Sequence, residues 1–368
     1  MSEKIVIGMS GGVDSSVAAA LLKEQGYEVI GLTMRLWDGE TVGDVFRDGT
    51  CCSLSAVEDA RRVAYKLGIE YHVLDFRKEF EKYVIDYFVN EYQNARTPNP
   101  CIACNKFLKF DAMLKKAKLL GAELIATGHY AKVSYDSSYG RYLLRRSMAS
   151  EKDQTYALYS LNQEQLKSIR MPLGEIDGKA RVREIAERLD LPTASKPDSQ
   201  EICFVPDNDY VSFIERRTDK KPEPGNFIDE YGNVLGKHSG ITHYTIGQRK
   251  GLGIAFGKPM FVTKINPLTN EITLGEKGSE FSESLIADNL NFISFESFNE
   301  PFEALAKIRY SAVPASCMVY PYENDMARVV FDKLQRAVTP GQAVVFYEKD
   351  SDIVIGGGTI REIGRAHV

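Results

Sequence analysis

Short apolar runs alternate with longer stretches of helical periodicity over the first ~200 residues. The apolar runs predict strands at Ile5–Ile7, Tyr27–Thr33, Tyr71–Leu74 and Leu124–Ala126. The periodic stretches predict helices from Val13 to about Gln25, Leu54 to Leu67, Phe80 to about Ala95, and Cys104 to Leu120. Strand and helix in alternation predict an α/β domain, with a parallel sheet covered by helices on both faces.

The pattern changes near residue 206, where turns rich in glycine, proline and charge separate short alternating strands. We expect three domains, at residues 1–205, 206–279 and 280–368. The second is predicted to be a small β-rich domain and the third a C-terminal β-barrel. Barrel strands are expected at 318–322, 327–331 and 343–347. Residues 39–53 are predicted to be a loop, and residues 361–368 show no clear pattern.

A glycine-rich turn, Ser10-Gly-Gly-Val-Asp-Ser-Ser16, joins the first strand to the first helix. Glycines let the backbone approach an anion, and the free N–H groups of a helix's first turn attract one. The three serines would add hydroxyl donors. The turn has neither the Walker A nor the dinucleotide-fold spacing, and the alternative is a plain serine-capped turn. Met34, Gly128 and His129 follow other strand ends, where ligands bind in such sheets.

Composition and charge restrict the class of protein. The 368 residues are 43% hydrophobic and 26% charged, which is typical of a globular protein. No run approaches the ~20 apolar residues of a membrane span, and no signal-peptide pattern precedes the first strand, so we expect a cytoplasmic location and no membrane partner. The net charge of −5 argues weakly against a large nucleic-acid surface.

The six cysteines, at positions 51, 52, 101, 104, 203 and 317, suggest thiol chemistry rather than a disulfide framework. Cys104 is predicted to begin a helix, where the dipole together with Lys106 and Lys109 would stabilise a thiolate. Structural zinc would need a second cysteine pair, so no metal ligands are assigned. An iron–sulfur cluster on Cys101, Cys104 and Cys203 is possible but not favoured. Cys317 is expected in the barrel core.

Basic residues form clusters that are typical either of a solvated face or of a path for a phosphate backbone. The clusters comprise Lys106, Lys109, Lys115, Lys116 and Lys118; Arg141, Arg145 and Arg146; Arg216, Arg217, Lys220 and Lys221; and Arg249 and Lys250.

The glycine-rich turn by itself resembles the PP-loop of the ATP pyrophosphatase superfamily, whose members cleave ATP between the α and β phosphates. GMP synthetase, NAD synthetase and tRNA-modifying enzymes fit this loop equally well. The full set of motifs is similar to the family of tRNA-specific 2-thiouridylases. These motifs are the loop, residues 97–106, 126–130, 152–154, 199–203 and 244–254, and the barrel segments 307–310 and 340–342.

This resemblance implies a PP-loop domain, a small central β domain and a C-terminal β-barrel. It implies ATP contacts at Gly8, Met9, Ser10, Gly11, Gly12, Val13, Asp14, Ser15, Met34 and Gly128. Mg²⁺ would offset the phosphate charge of the bound ATP. It implies a nucleophile at Cys104 and a persulfide carrier at Cys203. It implies tRNA contacts at Asn99, Pro100, Cys101, His129, Lys152, Asp153, Gln154, Arg309, Tyr310 and Gln342. Many members have aspartate where this chain has Cys101.

The implied reaction is ATP-dependent thiolation of carbon 2 of the wobble uridine of tRNA. The base is adenylated, a Cys203 persulfide delivers the sulfur, and a disulfide with Cys104 remains. A sulfur-relay protein or a cysteine desulfurase would supply the sulfur. Another PP-loop ligase would need no cysteine at either position. An ATP-binding regulatory module would bind ATP without releasing pyrophosphate.

Overall fold

The computed structural model describes residues 2–36, 54–197, 202–205, 209–218 and 221–364. The predicted loop at 39–53 and the pair Cys51 and Cys52 lie outside these residues. The first part of the chain contains a parallel five-stranded sheet in the order β3-β2-β1-β4-β7 and a separate hairpin, β5–β6. Its strands are β1 Lys4–Gly8, β2 Glu28–Arg35, β3 Glu70–Asp75, β4 Leu124–Ala126, β5 Ala131–Asp136, β6 Arg141–Arg146 and β7 Ile169–Arg170.

The central strand β1 shows why this sheet forms. Its apolar side chains alternate between the two faces, so that Val6 packs in one hydrophobic cluster and Ile5 and Ile7 pack in another. All three side chains are fully buried. Burial on both faces is expected of a parallel sheet covered by helices, and the predicted α/β architecture is therefore confirmed.

Nine α-helices occur among the described residues, together with two wide π-helical segments and four 3₁₀ turns. The α-helices are α1 Val13–Glu24, α2 Leu54–Leu67, α3 Arg77–Phe80, α4 Asp86–Gln93, α5 Pro100–Ala103, α6 Met113–Leu119, α7 Gln163–Lys167, α8 Gly178–Arg188 and α9 Tyr210–Arg217. The π segments are Glu81–Ile85 and Cys104–Ala112, and the 3₁₀ turns are Ser150–Lys152, Thr155–Ala157, Pro172–Glu175 and Ile241–His243.

Two helix boundaries differ from the prediction. The helix expected from Phe80 already begins at Arg77 and passes through the first π segment. The helix expected from Cys104 begins at Pro100, because Asn99 caps it: the Asn99 side chain accepts a hydrogen bond from the Ile102 N–H at 3.3 Å. Proline is favoured at the first helical position, since its missing N–H has no partner there anyway. The prediction that Cys104 begins the helix is therefore wrong.

The middle part of the chain forms a four-stranded sheet in the order β10-β11-β8-β9. Its strands are β8 Gly225–Ile228, β9 Val234–His238, β10 Met260–Asn266 and β11 Glu271–Glu276. Phe227, Val262 and Ile272 are fully buried in its own small core. The predicted central β domain is present.

The last part is a closed six-stranded barrel in the order β12-β15-β14-β13-β16-β17. Its strands are β12 Phe281–Phe292, β13 Phe302–Lys307, β14 Ala315–Tyr322, β15 Met326–Arg336, β16 Ala343–Tyr347 and β17 Val354–Gly364. The barrel is confirmed, although several strands are longer than predicted, and residues 361–364 belong to β17. Cys317 lies in the barrel core at 2% exposure, as predicted.

No helix among the described residues is both long enough and apolar enough to cross a membrane.

Candidate active site

The turn between β1 and α1 leaves the start of α1 open. Gly11 has a φ of +68°, which favours glycine. A Cβ at Gly11 would also lie 2.2 Å from the Ala56 carbonyl oxygen, so α2 leaves no room for a side chain. Gly12 is the N-cap of α1 and its position supplies no side-chain cap. Within the described ranges, the N-cap thus leaves the first N–H groups of α1 without a capping side chain, as an anion site at a helix N-terminus requires.

The three serines of the loop differ in their surroundings. Ser10 is exposed, and its N–H donates to the Ser15 hydroxyl oxygen at 3.2 Å. The Ser15 hydroxyl in turn donates to the Gly12 carbonyl at 3.1 Å. Ser16 is fully buried, donates to the same carbonyl at 2.8 Å and accepts from Thr193. The Ser16 hydroxyl therefore stabilises the loop from its buried side through the Gly12 carbonyl. The prediction that it is a ligand donor is wrong.

Asp14 lies in the first turn of α1 and forms an ion pair that the sequence did not indicate. The Lys179 ammonium of α8 lies 2.8 and 2.7 Å from the two carboxylate oxygens, and the Tyr130 hydroxyl donates to one of them at 2.7 Å. The Asp14 and Lys179 side chains are only 32% and 13% exposed. The carboxylate thus connects α1 to α8 and to the segment after β4.

The other residues assigned to ATP lie at the carboxyl edge of the parallel sheet. Gly8 ends β1 and Met34 is the next-to-last residue of β2. Gly128 follows β4, and a Cβ there would lie 2.8 Å from the Ser15 nitrogen, so its backbone packs directly on the first turn of α1. Met9 and Val13 are buried, which leaves their backbone groups as the part that a ligand could approach.

His129 is buried beside this edge. Its Nδ1 lies 2.7 Å from the Thr127 hydroxyl, and its ring is 5.7 Å from that of Phe110. Burial, helped by the nearby Lys109 charge, holds the pKa of His129 well below its usual value. The imidazole is therefore neutral near pH 7.

The cysteines of the proposed chemistry belong to the first part of the chain. None of the four cysteines that the structure describes forms a disulfide. Cys101 is exposed near the start of α5, whereas Cys104 lies at the start of the following π segment and is half-buried. The dipole argument for a thiolate therefore favours Cys101 over Cys104, because the effect fades after the first turn.

Cys203 is half-buried and, like Cys104, packs against the hydrophobic cluster that contains Val6. Its neighbour Phe204 makes edge contacts with Phe80 and Phe88, with ring centroids 5.8 and 5.1 Å apart. These rings hold the Cys203 segment on the same core that Cys104 borders. No three His, Cys, Asp or Glu side chains within the described ranges form a metal-ligating group.

Of the residues assigned to tRNA, Gln342 and Tyr310 contact the first part of the chain from the barrel side. Gln342 donates to the Thr97 and Pro98 carbonyls at 3.0 and 3.1 Å, directly before Asn99 and the buried Pro100. Tyr310 is 50% exposed. Burial raises the pKa of Tyr310, and the charge of Asp153 acts in the same direction. The Tyr310 ring contacts that of Tyr156, with the two centroids 6.2 Å apart.

Several of these residues are bonded within the protein. The Gln154 side chain accepts from the Tyr130 N–H at 2.9 Å, and the Asp153 carboxylate accepts from the Ser147 N–H and the Thr155 hydroxyl. The Arg309 guanidinium donates to the Arg336 carbonyl. Cys101 and Tyr310 are thus the exposed members of the set.

Three domain families match successive parts of the chain. A tRNA methyl transferase HUP domain matches residues 3–207, a tRNA methyl transferase PRC-barrel domain matches 211–276, and an aminomethyltransferase beta-barrel domain matches 282–360.

Curated relatives match over almost their whole length. The tRNA-specific 2-thiouridylase MnmA of Acetivibrio thermocellus is 59% identical over 359 residues, which cover 98% of this chain and 99% of that protein. The protein of that name from Clostridioides difficile is 56% identical, and the match covers 98% of this chain and 99% of that protein. The one from Carboxydothermus hydrogenoformans is 55% identical, and the match covers 98% of each chain. At this identity and coverage, the chain belongs to the tRNA-specific 2-thiouridylase MnmA family.

Proposed function

We propose that this chain thiolates carbon 2 of the wobble uridine of tRNA in an ATP-dependent reaction, in the cytoplasm. The observation that carries the proposal is the near full-length likeness to tRNA-specific 2-thiouridylases. The open glycine loop, and the two thiols that border one core, agree with it.

The first step is activation of the base. The C2 oxygen attacks the α phosphate of ATP, pyrophosphate leaves, and the oxygen becomes part of an adenylate. The uncapped N–H groups of α1 and the exposed Ser10 hydroxyl are suited to the departing pyrophosphate. Mg²⁺ bound with ATP would offset phosphate charge; Asp14 is the acidic side chain of the loop, and Lys179 already bonds both its oxygens.

The second step is sulfur transfer. A persulfide on Cys203 supplies sulfur to the activated carbon, and AMP leaves with the former C2 oxygen. Either the outer sulfur attacks the carbon and Cys104 then attacks the inner Cys203 sulfur, or Cys104 attacks first and releases hydrosulfide as the nucleophile. Both routes end in a Cys104–Cys203 disulfide, which an external thiol must reduce. A neutral His129 can orient groups by hydrogen bonding.

The proposed partners are tRNA and a persulfide donor of the sulfur-relay or cysteine-desulfurase class. The proposed tRNA surface centres on Cys101 and Tyr310 at the junction of the first part and the barrel. A target base inside a duplex stack would have to leave it to reach the loop, as in other base-modifying enzymes.

The test supplies ATP, unmodified tRNA, cysteine and a cysteine desulfurase, and analyses the nucleosides by mass spectrometry. We expect 2-thiouridine from the natural chain and from Cys317→Ala, a control in the barrel core, but none from Cys104→Ser or Cys203→Ser. Sulfide in place of the desulfurase separates the two routes, because only free hydrosulfide as the nucleophile allows Cys203→Ser to retain activity. A natural chain that yields no thiolated nucleoside, or a double cysteine variant that yields it with the desulfurase, would overturn the proposal.

A further inference from the structure

Two cations, Arg146 and Lys307, have no carboxylate partner within the described part of the chain, and both lie over aromatic rings. Arg146 ends β6, and its guanidinium carbon is 4.3 Å from the centroid of the Tyr347 ring. Lys307 ends β13, and its ammonium is 5.9 and 5.6 Å from the centroids of Tyr156 and Tyr310. Both cationic side chains are half-buried. Aromatic faces attract cations, but they do not neutralise a charge.

Neither cation forms an ion pair with a described residue: no described Asp or Glu oxygen lies within 4.0 Å of either charged group. The Nη2 atom of Arg146 is buried and has no hydrogen-bond partner among the residues that the structure describes. The adjacent Arg145 differs, since its guanidinium donates to Asp136 at 2.6 Å and to Asp352 at 2.8 Å. Buried polar groups are normally paired, so the unpaired donor of Arg146 requires an explanation.

The carboxylate of Asp153, whose charge acts on both cations, does not supply that partner. Asp153 accepts its hydrogen bonds from the Ser147 N–H at 3.1 Å and the Thr155 hydroxyl at 2.6 Å. Burial lowers the pKa of Lys307, with Asp153 opposing the shift and Arg146 adding to it. Two positive charges and one negative charge thus share a partly dry space. Desolvation and repulsion both oppose this arrangement unless an anion joins it.

We propose that Arg146 and Lys307 together form a phosphate-binding site for the backbone of the RNA substrate. This inference rests on the proposed function for the choice of RNA. A guanidinium fork beside an ammonium suits phosphate oxygens, and contacts to phosphates fix the position of a nucleic acid. The half-exposed ring of Tyr310 lies at the edge of the site, where a base next to the bound phosphate can stack.

The test measures tRNA affinity against salt for Arg146→Gln and Lys307→Met. The matched controls are Arg328→Gln and Lys333→Gln, at an exposed arginine and an exposed lysine of the barrel strand β15. We expect each test variant to bind about tenfold more weakly. The slope of log affinity against log salt should fall by about 0.7–0.9, as for one lost phosphate contact. If test and control variants share the natural chain's affinity and slope, the proposal is overturned.

Two further measurements separate this site from its alternatives. Lys307→Met retains an apolar side chain beside the Tyr156 and Tyr310 rings and removes a half-buried charge. The melting temperature of this variant should therefore be unchanged or raised. A lower melting temperature without a change in the salt slope would indicate that Lys307 has a purely structural role. Inorganic phosphate is titrated at constant ionic strength. If it stabilises the natural chain but not the variants, while the tRNA slopes stay equal, the site binds free phosphate and the assignment to RNA is wrong.

Failure here is distinct from failure of the proposed function. The natural chain would still form 2-thiouridine at saturating tRNA if this phosphate site did not exist.

Discussion

At the scale of single residues, burial decides what the side chains near the loop can do. His129 is 9% exposed and hydrogen-bonded to Thr127, so the structure favours the neutral imidazole over the charged one. A histidine that follows a glycine at a strand end could serve as a proton acceptor, a cation or a hydrogen-bonding group. The position of His129 in the sequence allows all three roles. Its burial excludes the cationic role and is compatible with the two in which the imidazole is neutral.

This burial predicts a pH dependence of stability. The pKa of His129 is depressed in the folded state and about 6.5 in the unfolded chain. Below pH ~6.5 the unfolded chain therefore binds a proton that the native state resists, and stability is lost as the pH falls. We expect the melting temperature of the natural chain to fall from pH 7.5 to pH 5.5 by more than that of His129→Gln. His72→Gln, at a more exposed histidine, is the control, and equal pH dependence in all three proteins would contradict the prediction.

At the scale of elements, the sequence predicted those whose hydrophobic pattern is regular. The strand Ala343–Tyr347 and the helix Leu54–Leu67 are found as predicted, since an apolar run and a helical stripe define them locally. The helix that carries Cys101 was misplaced because Thr97-Pro98-Asn99-Pro100 indicates a turn by its prolines. An asparagine followed by a proline is also typical of a helix start, with the asparagine as the N-cap and the proline as the first helical residue. The structure adopts this alternative at Asn99 and Pro100.

Elements that are short or half-exposed were not predicted. The hairpin β5–β6 and the five-residue helix α7 are too short for a clear local pattern. The helices α8 and α9 were missed although α8 buries Val182, Ile185 and Ala186 at helical spacing. Contacts with other elements also stabilise these segments. One such contact is made by α8, whose Lys179 bonds Asp14 from a distant part of the chain. A pairing of this kind joins segments that no local signal relates.

The Asp14–Lys179 pair predicts an energetic coupling between α1 and α8. Both side chains are less than one third exposed, so a double-mutant cycle with Asp14→Asn and Lys179→Met should give a coupling of about 1–2 kcal/mol in unfolding. The exposed Lys66–Asp190 pair joins α2 to the end of α8 and provides the control, where we expect no measurable coupling. Equal coupling energies in the two cycles would show that the Asp14–Lys179 pair stabilises the protein no more than an exposed ion pair does.

At the scale of the whole molecule, the order of the three parts was predictable and their docking was not. The barrel meets the first part through the segment Thr97–Asn99: the Thr97 N–H donates to the Pro340 carbonyl at 2.8 Å, and Gln342 bonds the next carbonyls. The motif Pro340-Gly-Gln342 marked this place as functional. The structure supplies the physical reason, because Pro340 and Gln342 bond the loop that precedes α5, the helix that contains Cys101.

Gly341 makes this docking testable. Its φ is +91°, and an added Cβ would lie 2.8 Å from both the nitrogen and the oxygen of Thr97. Gly278, between β11 and β12, has a φ of +109° and nothing within 4 Å. Alanine at either site bears the left-handed backbone cost of about 1–2 kcal/mol, but only alanine at 341 also pushes the barrel away from Thr97.

We therefore expect Gly341→Ala to weaken tRNA binding and to separate the thermal unfolding of the barrel from that of the first part. ATP binding at the glycine-rich loop should be retained, because the atoms nearest to a Cβ at Gly341 belong to Arg96 and Thr97. Gly278→Ala should lower the melting temperature slightly and leave tRNA binding intact. Calorimetry and filter binding on the two variants measure these effects. If the two alanines act alike, the contact at Thr97 does not set the position of the barrel, and the tRNA surface must be assembled by other contacts between the two parts.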